Sequence, residues 1–276
     1  MSALLQTLTI VLPPLYLLGA LLAGFTFGRP PAPRMRFVRR TVTVLLLLAH
    51  TSWFYVYSER VQGFPIDDLA SSLSAIALST FVLQCVLARW FGHGGSGTIV
   101  LALLFCLQIV SACLTDLRAL PRAGTIEIDG IAHVLTSVIA LAALVLSGLH
   151  GLLYLVLFRQ MRERHFGALF AGLPDLDVLA RLTRGAALAG FIGLTIGLNV
   201  GIMMAHRDHQ AGFAYRESEV ALSILLWLHF GGIAFSGFMR GFNARRASIA
   251  ATVGLVLILL SLALVLIPGT TFHSRL

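Results

Sequence analysis

Histidine is the residue type in this chain that could do chemistry inside a membrane. Three of the nine histidines, His50, His150 and His229, lie in long apolar segments, and the first is surrounded by VLLLLAHTSWF at residues 44–54. An imidazole that leaves water without a hydrogen-bond partner is energetically costly. An ionisable residue in an apolar segment therefore predicts a functional site, with a partner elsewhere in the chain.

His50 and His229 are predicted to lie at the same depth. Counted from span ends near residues 41 and 239, each lies about 14 to 15 Å from the inner face at 1.5 Å per residue. Two neutral imidazoles at one level could bind one haem iron from both sides, so both are candidate axial ligands. Alternatively, each histidine bonds a neighbouring helix and the nearby aromatic residues form an interfacial belt. Those aromatic residues, which could also line a haem, are Trp53, Phe54, Tyr55, Tyr57, Trp227 and Phe230.

Further histidines lie where the chain is predicted to reach the outer face. His133 opens the apolar segment in IDGIAHVLTSV, and His273 follows the last apolar segment in FHSRL. His206 and His209 lie in the intervening outer segment AHRDHQAGFAYRESE. These imidazoles could bind a metal or haem iron at the membrane surface, or they could be solvated loop residues. No role is assigned to His150, which is predicted to lie nearer the cytoplasm.

The elements that must position these side chains are membrane-spanning helices. The chain has 276 residues, 58% hydrophobic and 12% charged, and its mean hydropathy is +0.89, far above that of soluble domains. A helix needs about 20 predominantly apolar residues to cross a bilayer. We therefore predict an all-α polytopic membrane protein, with one integral-membrane domain over residues 1–276 and a retained first helix. The eight predicted spans are 3–24, 41–58, 69–88, 98–115, 130–158, 185–204, 220–239 and 247–267.

The arginines predict the orientation. The chain has no lysine, and 14 of its 20 basic residues lie in the segments 25–40, 88–97, 159–184 and 240–246, on one side of the membrane. The positive-inside rule places this side in the cytoplasm and both termini outside. The formal net charge of +8 is then explained by topology, and no basic surface remains for nucleic acid.

Several classes of function are disfavoured by the sequence. Every Asp, Glu and Arg lies in a loop or at a span end, whereas ion-coupled transporters usually carry a charged residue within the membrane. Neither G-x-S-x-G nor H-E-x-x-H occurs, which disfavours the corresponding hydrolases. The three cysteines form no C-x-x-C pair, which disfavours a thiol–disulfide relay.

Two features of the second half predict packing. Gly193, Gly197 and Gly201 recur at four-residue spacing, a ridge that lets another helix or a flat ligand approach the backbone, with helix packing as the favoured use. The stretch 166–184, FGALFAGLPDLDVLARLTR, alternates apolar and charged residues. It predicts a short amphipathic helix at the membrane interface.

Several of these segments resemble the cytochrome c assembly family, within it the CcsA/HemX group and its small eight-helix HemX or YpjD-like members. The resemblance is strongest over residues 130–276 and rests on three stretches. They are IAHVLTSVIALAALVLSGLHGLLYL, LPDLDVLARLTRGAALAGFIGLTIGLNVG, and SEVALSILLWL with GFNARRASIAATVG. The first four helices match more loosely, chiefly through His50.

The resemblance implies roles for individual residues. His133 matches the family's outer-face haem histidine, His50 resembles its intramembrane histidine, and His273 resembles the second outer histidine. The family's tryptophan-rich outer segment is replaced here by AGFAYRESE, with Phe213 and Tyr215 where tryptophans would stand. The family's second intramembrane histidine, late in the seventh helix, is also absent. These departures disfavour a haem-lyase activity.

We therefore predict a haem-handling protein of the bacterial inner membrane, an accessory or transport component of cytochrome c biogenesis. Haem would be held between His50 and His229, or at the outer face between His133 and His273 with Phe213 and Tyr215 nearby. The resemblance implies a CcsB/ResB-like subunit and an apocytochrome c as partners, besides membrane lipid. The alternatives are a HemX-type membrane regulator of tetrapyrrole synthesis and a structural or transport membrane protein without haem.

Overall fold

Long helices make up almost all of the computed structural model, which describes residues 2–28, 32–66, 68–91, 95–115, 127–164, 166–207 and 218–265. The described residues contain no strand. The helices are α1 Ser2–Phe25, α2 Pro33–Val61, α3 Leu69–Phe91, α4 Ser96–Leu114, α5 Ile128–Arg162, α6 Ala168–Gly172, α7 Leu176–Arg207, α8 Ser218–Ala234 and α9 Ala244–Val265.

The helix lengths confirm the prediction of an all-α polytopic membrane protein. Among the described residues, seven helices are long and apolar enough to cross a bilayer, and α8 supplies a shorter apolar helix over Val220–Ala234. All eight correspond to predicted spans. The assignment of the arginine-rich side to the cytoplasm stays a prediction.

Helix α5 lies at the centre of the bundle and packs against α3, α7 and α9, while α1 packs against α2 and α4. Small residues allow the close approach to α9. A Cβ atom built on Gly148 would lie 2.4 Å from Cβ of Leu255, and one on Gly151 would lie 2.9 Å from the carbonyl oxygen of Ser248. Glycine at these positions lets two membrane helices meet backbone to backbone, where dispersion and polar contacts stabilise the pair.

The predicted interfacial helix over residues 166–184 is wrong in its extent. Only Ala168–Gly172 forms a short separate helix, and the chain from Leu176 onward belongs to α7. Leu179 and Thr183 are buried, and the carbonyl oxygen of Thr183 accepts a hydrogen bond from Ser147 Oγ of α5 at 2.8 Å. This stretch therefore packs into the bundle as the first turns of a spanning helix.

Candidate functional site

His133 lies near the N-terminal end of α5, the end that the arginine distribution predicts to be outside, and is held by α7. Its Nδ1 lies 2.8 Å from the carbonyl oxygen of Gly197, and the side chain is partly buried. A carbonyl only accepts, so Nδ1 carries the proton and Nε2 carries the lone pair. No hydrogen-bond partner of Nε2 occurs among the described residues. A backbone carbonyl on one nitrogen and a free lone pair on the other is the arrangement typical of a metal-binding histidine.

The glycine ridge of α7 forms the surface on which this imidazole lies. A Cβ atom on Gly201 would lie 2.9 Å from Cε1 of His133, and one on Gly193 would lie 2.8 Å from Cβ of Ala140. Any larger residue at these positions would push α5 and α7 apart or displace the ring. The prediction that the ridge serves helix packing is confirmed, and the ridge also sets the position of His133.

An ion-pair cluster joins the outer ends of α5 and α7 one turn beyond His133. Arg207 Nη1 donates to Asp129 Oδ2 at 2.6 Å, and Arg207 also pairs with Glu127. These side chains are about half exposed, so the cluster contributes little to stability. Its effect is to fix the end of α7 over the start of α5, where His133 lies.

His50 is fully buried, and both of its ring nitrogens have partners. Tyr16 Oη lies 2.9 Å from Nδ1 and Ser74 Oγ lies 2.8 Å from Nε2, while Ser74 Oγ also donates to Gln108 Oε1 at 3.3 Å. Because the single Ser74 proton goes to Gln108, Ser74 must accept from Nε2–H, and Nδ1 must accept from the Tyr16 hydroxyl. This order fixes a neutral ring in the Nε2–H tautomer. The four residues link α1, α2, α3 and α4, and we call them the His50 chain.

The aromatic residues near His50 pack tightly around it. Phe54 stacks on the imidazole with ring centroids 5.5 Å apart, and Tyr16 meets it edge-on at 5.8 Å. Trp53 stacks on Tyr57 at 5.0 Å, and its indole N–H donates to Thr9 of α1 at 2.9 Å. These contacts join α2 to α1.

His229 belongs to a different group of helices. Its Nε2 lies 2.9 Å from the carbonyl oxygen of Ala250 in α9, and its ring packs on Gly254 and Phe230. The structure thus holds His50 between α1 and α3, and His229 against α9. Ligation of iron by His50 would require one of its hydrogen bonds to break. The predicted axial pair stays a prediction, while the hydrogen bonds match the alternative in which each histidine bonds a neighbouring helix.

The remaining candidate residues differ in environment. His206 is exposed, and its Nδ1 bonds the carbonyl oxygen of Ile202 in its own helix at 2.9 Å. His150 is fully buried, and its ring nitrogens make no hydrogen bond of standard geometry among the described residues, although the Leu146 backbone lies close to the ring. Four predicted residues of the outer face lie outside the described residues: His209, Phe213, Tyr215 and His273.

The partners of His50 are the residues that sequence analysis missed. Tyr16, Ser74 and Gln108 are each at most 1% exposed. The available signal was polarity: Gln108 interrupts the apolar run FCLQIV, and Tyr16 is the one tyrosine of the first span. Neither feature identifies a partner on another helix, because the pairing depends on which spans pack together.

The fold defines a class: a multi-pass helical membrane protein, whose central helix carries a histidine with one ring nitrogen bonded to a neighbouring helix. A family model described as "Cytochrome C assembly protein" matches residues 38–273. The chain therefore belongs to the cytochrome c assembly family, as its resemblance predicted.

Two curated relatives are similar along most of their length. The cytochrome c biogenesis protein CcsA of Synechococcus sp. (strain CC9902) is 25% identical over 236 residues, covering 76% of this chain and 77% of the relative. The CcsA protein of Synechococcus sp. (strain CC9605) is 24% identical over 236 residues, with the same coverage. The match to the family model, over residues 38–273, includes His50 in α2 and the whole of α5 with His133. Family membership supports a role in cytochrome c biogenesis.

Proposed function

We propose that the protein holds haem non-covalently at the outer end of α5, as an accessory or transport component of cytochrome c biogenesis in the bacterial inner membrane. The observation that supports this site is the environment of His133. Its Nδ1–H is directed to the Gly197 carbonyl, which leaves Nε2 as the iron-binding nitrogen. His206, the other predicted outer histidine among the described residues, bonds only its own helix and lacks such support from a second one.

The roles of the chain's own residues follow from that assignment. Haem supplies the iron and macrocycle that a cytochrome needs, whereas the protein supplies a ligand, burial and orientation. His133 would be one axial ligand, and Gly201 would leave the space in which its ring lies. His273 is proposed as the second outer ligand, with Phe213 and Tyr215 as aromatic surfaces against the macrocycle.

The intramembrane pair is the second proposed haem position. Nδ1 of His229 has no hydrogen-bond partner among the described residues, but His50 has both ring nitrogens bonded. A haem between them would need the His50 chain to open, so the contacts favour the outer position. The outer and the intramembrane haem positions depend on different histidines, so mutation of those histidines distinguishes them.

A CcsB/ResB-like subunit and an apocytochrome c are the proposed partners. Any thioether bonds would form on cysteines of the apocytochrome, because Cys85, Cys106 and Cys113 of this chain all lie on the spanning helices α3 and α4. The proposed role is therefore to hold and present haem. We do not propose a lyase step.

The test is an absorption spectrum of the detergent-purified protein, as isolated and after addition of haemin. We expect His133→Ala to weaken haem binding at least about tenfold, the scale on which support of a metal site acts. His206→Ala is the matched control, because it removes an outer imidazole that bonds only its own helix. We expect it to leave the Soret band unchanged.

Three results would change the proposal. Loss of the Soret band in His50→Ala and His229→Ala, with His133→Ala intact, would move the haem into the membrane. Equal effects of His133→Ala and His206→Ala would remove the reason for choosing His133. A protein that neither carries haem nor takes it up would contradict both positions and leave the regulatory or structural alternatives.

A further inference from the structure

A partly open crevice lies between α1, α2, α3 and α4, on the side of the bundle where the arginine-rich segments lie. Its volume is about 60 Å³. Since about 10 to 15 Å³ of such space holds one water molecule, the crevice has room for a stretch of hydrocarbon chain. Its lining is apolar except for one threonine and one arginine: Gly19, Leu22, Ala23, Arg39, Val42, Thr43, Leu46, Phe81 and Leu101.

Arg39 places a positive charge at this crevice without a counter-charge. Its Nη1 donates to Thr26 Oγ1 at 3.0 Å, and both side chains are partly buried. Among the described residues, no carboxylate lies within ion-pair distance of Arg39. A partly desolvated guanidinium paired only with a neutral hydroxyl retains donors for an anion, and phosphate matches its fork geometry.

We propose that this crevice binds an anionic phospholipid of the inner leaflet, with the phosphate on Arg39 and an acyl chain along the apolar wall. The guanidinium of Arg39 matches the phosphate of such a lipid, and the apolar wall matches its acyl chain. Arg34, Arg36 and Arg40 lie on the same first turns of α2, and basic residues beside a membrane attract anionic headgroups. Arg39 differs from them because it is the arginine that lines the crevice.

The crevice lies one helical turn from the His50 chain. Gly19 follows Tyr16 by three residues and Leu46 precedes His50 by four, so both residues share a helix face with a member of the chain. Phe81 lines the crevice and also packs edge-on against Tyr16, with centroids 5.7 Å apart. A lipid chain in the crevice would therefore support the packing of Tyr16 against His50.

The test measures thermal unfolding of delipidated protein in neutral detergent. Phosphatidylglycerol, phosphatidylcholine and inorganic phosphate are each titrated against the wild-type chain, Arg39→Gln and Arg40→Gln. We expect phosphatidylglycerol to stabilise the wild-type chain more than phosphatidylcholine does. Arg39→Gln should weaken the phosphatidylglycerol effect about tenfold in concentration, equivalent to about 1.4 kcal/mol. Arg40→Gln removes the same charge from an exposed position and should retain the effect.

A second variant tests the acyl-chain half of the site without changing a charge. A Cβ atom on Gly19 would make only ordinary contacts of 3.7 to 3.8 Å with Leu101 and Leu46, so a larger side chain there would extend into the crevice. We expect Gly19→Leu to weaken the phosphatidylglycerol effect while the protein still elutes as a monodisperse species.

Three outcomes would overturn the proposal. Equal losses in Arg39→Gln and Arg40→Gln would mean diffuse attraction to a basic surface. Equal stabilisation by phosphatidylglycerol and phosphatidylcholine would mean that Arg39 does not select the headgroup. Full stabilisation by inorganic phosphate, unaffected by Gly19→Leu, would mean that the anion is a free phosphate and that the apolar wall takes no part. None of these measurements involves haem, so they are independent of the proposed function.

Discussion

Removing the two hydrogen bonds of the His50 ring, one at each nitrogen, tests how much the His50 chain stabilises the fold. Tyr16→Phe removes the donor to His50 Nδ1 but leaves Nε2–H bonded to Ser74. Interhelical hydrogen bonds in membrane proteins average about 0.6 kcal/mol and reach about 1.7 kcal/mol. Because Tyr16 and His50 are both fully buried, we expect a loss of about 1 kcal/mol in the free energy of unfolding.

Ser74→Ala should cost more than Tyr16→Phe. Ser74 accepts from His50 and donates to Gln108, so its removal leaves two buried groups without a partner. The expected loss is about 1 to 3 kcal/mol. The bond between Nδ1 and the Tyr16 hydroxyl is kept in this variant.

The double variant tests whether the two bonds are coupled. Tyr16→Phe and Ser74→Ala together remove both hydrogen bonds of the His50 ring. Hydrogen bonds in one network polarise and strengthen one another, so removal of either bond also weakens the other. We therefore expect the double variant to lose less than the sum of the single losses, by about 0.5 kcal/mol or more. Thr51→Val is the control, because Thr51 is exposed on the same helix and bonds only its own backbone, at 2.8 Å from the Leu47 oxygen.

Reversible unfolding in mixed micelles, followed by circular dichroism over a titration with a denaturing detergent, measures these losses. Additive losses in the double variant would show that His50 does not couple Tyr16 to Ser74. A Tyr16→Phe loss no larger than that of Thr51→Val would show that the Tyr16 hydroxyl contributes nothing to the buried chain. Either result would contradict a coupled hydrogen-bond network through His50.

Two further substitutions test the environments of His133 and His150. Gly201→Ala should crowd the imidazole of His133 and weaken haem binding about tenfold, whereas Gly185→Ala, whose added Cβ meets nothing within 4 Å, should leave the haem titration unchanged. His150→Leu should leave thermal stability unchanged or raise it, because it removes two buried nitrogens that make no hydrogen bond of standard geometry. His50→Leu, in contrast, should clearly lower thermal stability. Equal thermal stabilities of the two histidine variants would contradict the difference between the environments of His50 and His150.

Helix content was predictable because it depends on local composition. The predicted span 130–158 lies within α5, Ile128–Arg162, and the glycine ridge packs against α5 as its four-residue spacing indicates. The error at residues 166–184 arose because alternating apolar and charged residues are typical of both an interfacial helix and the end of a spanning helix. Burial of Leu179 against the bundle decides between them, and burial depends on contacts that are distant in the sequence.

The histidine partners were not predictable for the same reason. Depth along a helix follows from counting residues, and it suggested that His50 and His229 could share one ligand. Which residues meet at that depth depends on rotation about each helix axis and on which helices are neighbours. Tyr16 and Ser74 lie 34 and 24 residues from His50 in sequence. Counting residues cannot choose between these partners and His229.

His50 and His133 have different hydrogen-bond environments within the same bundle. At His50, partners from two other helices, Tyr16 of α1 and Ser74 of α3, occupy both ring nitrogens, so the residue is well suited to joining helices and poorly suited to binding iron. At His133, one carbonyl of α7 fixes the tautomer and glycines leave room for the ring, so one nitrogen keeps its lone pair. A metal competes for a lone pair, and the cost of binding is lower where no hydrogen bond must first be broken. This difference, rather than depth in the membrane, is the reason to look for haem at the outer end of α5.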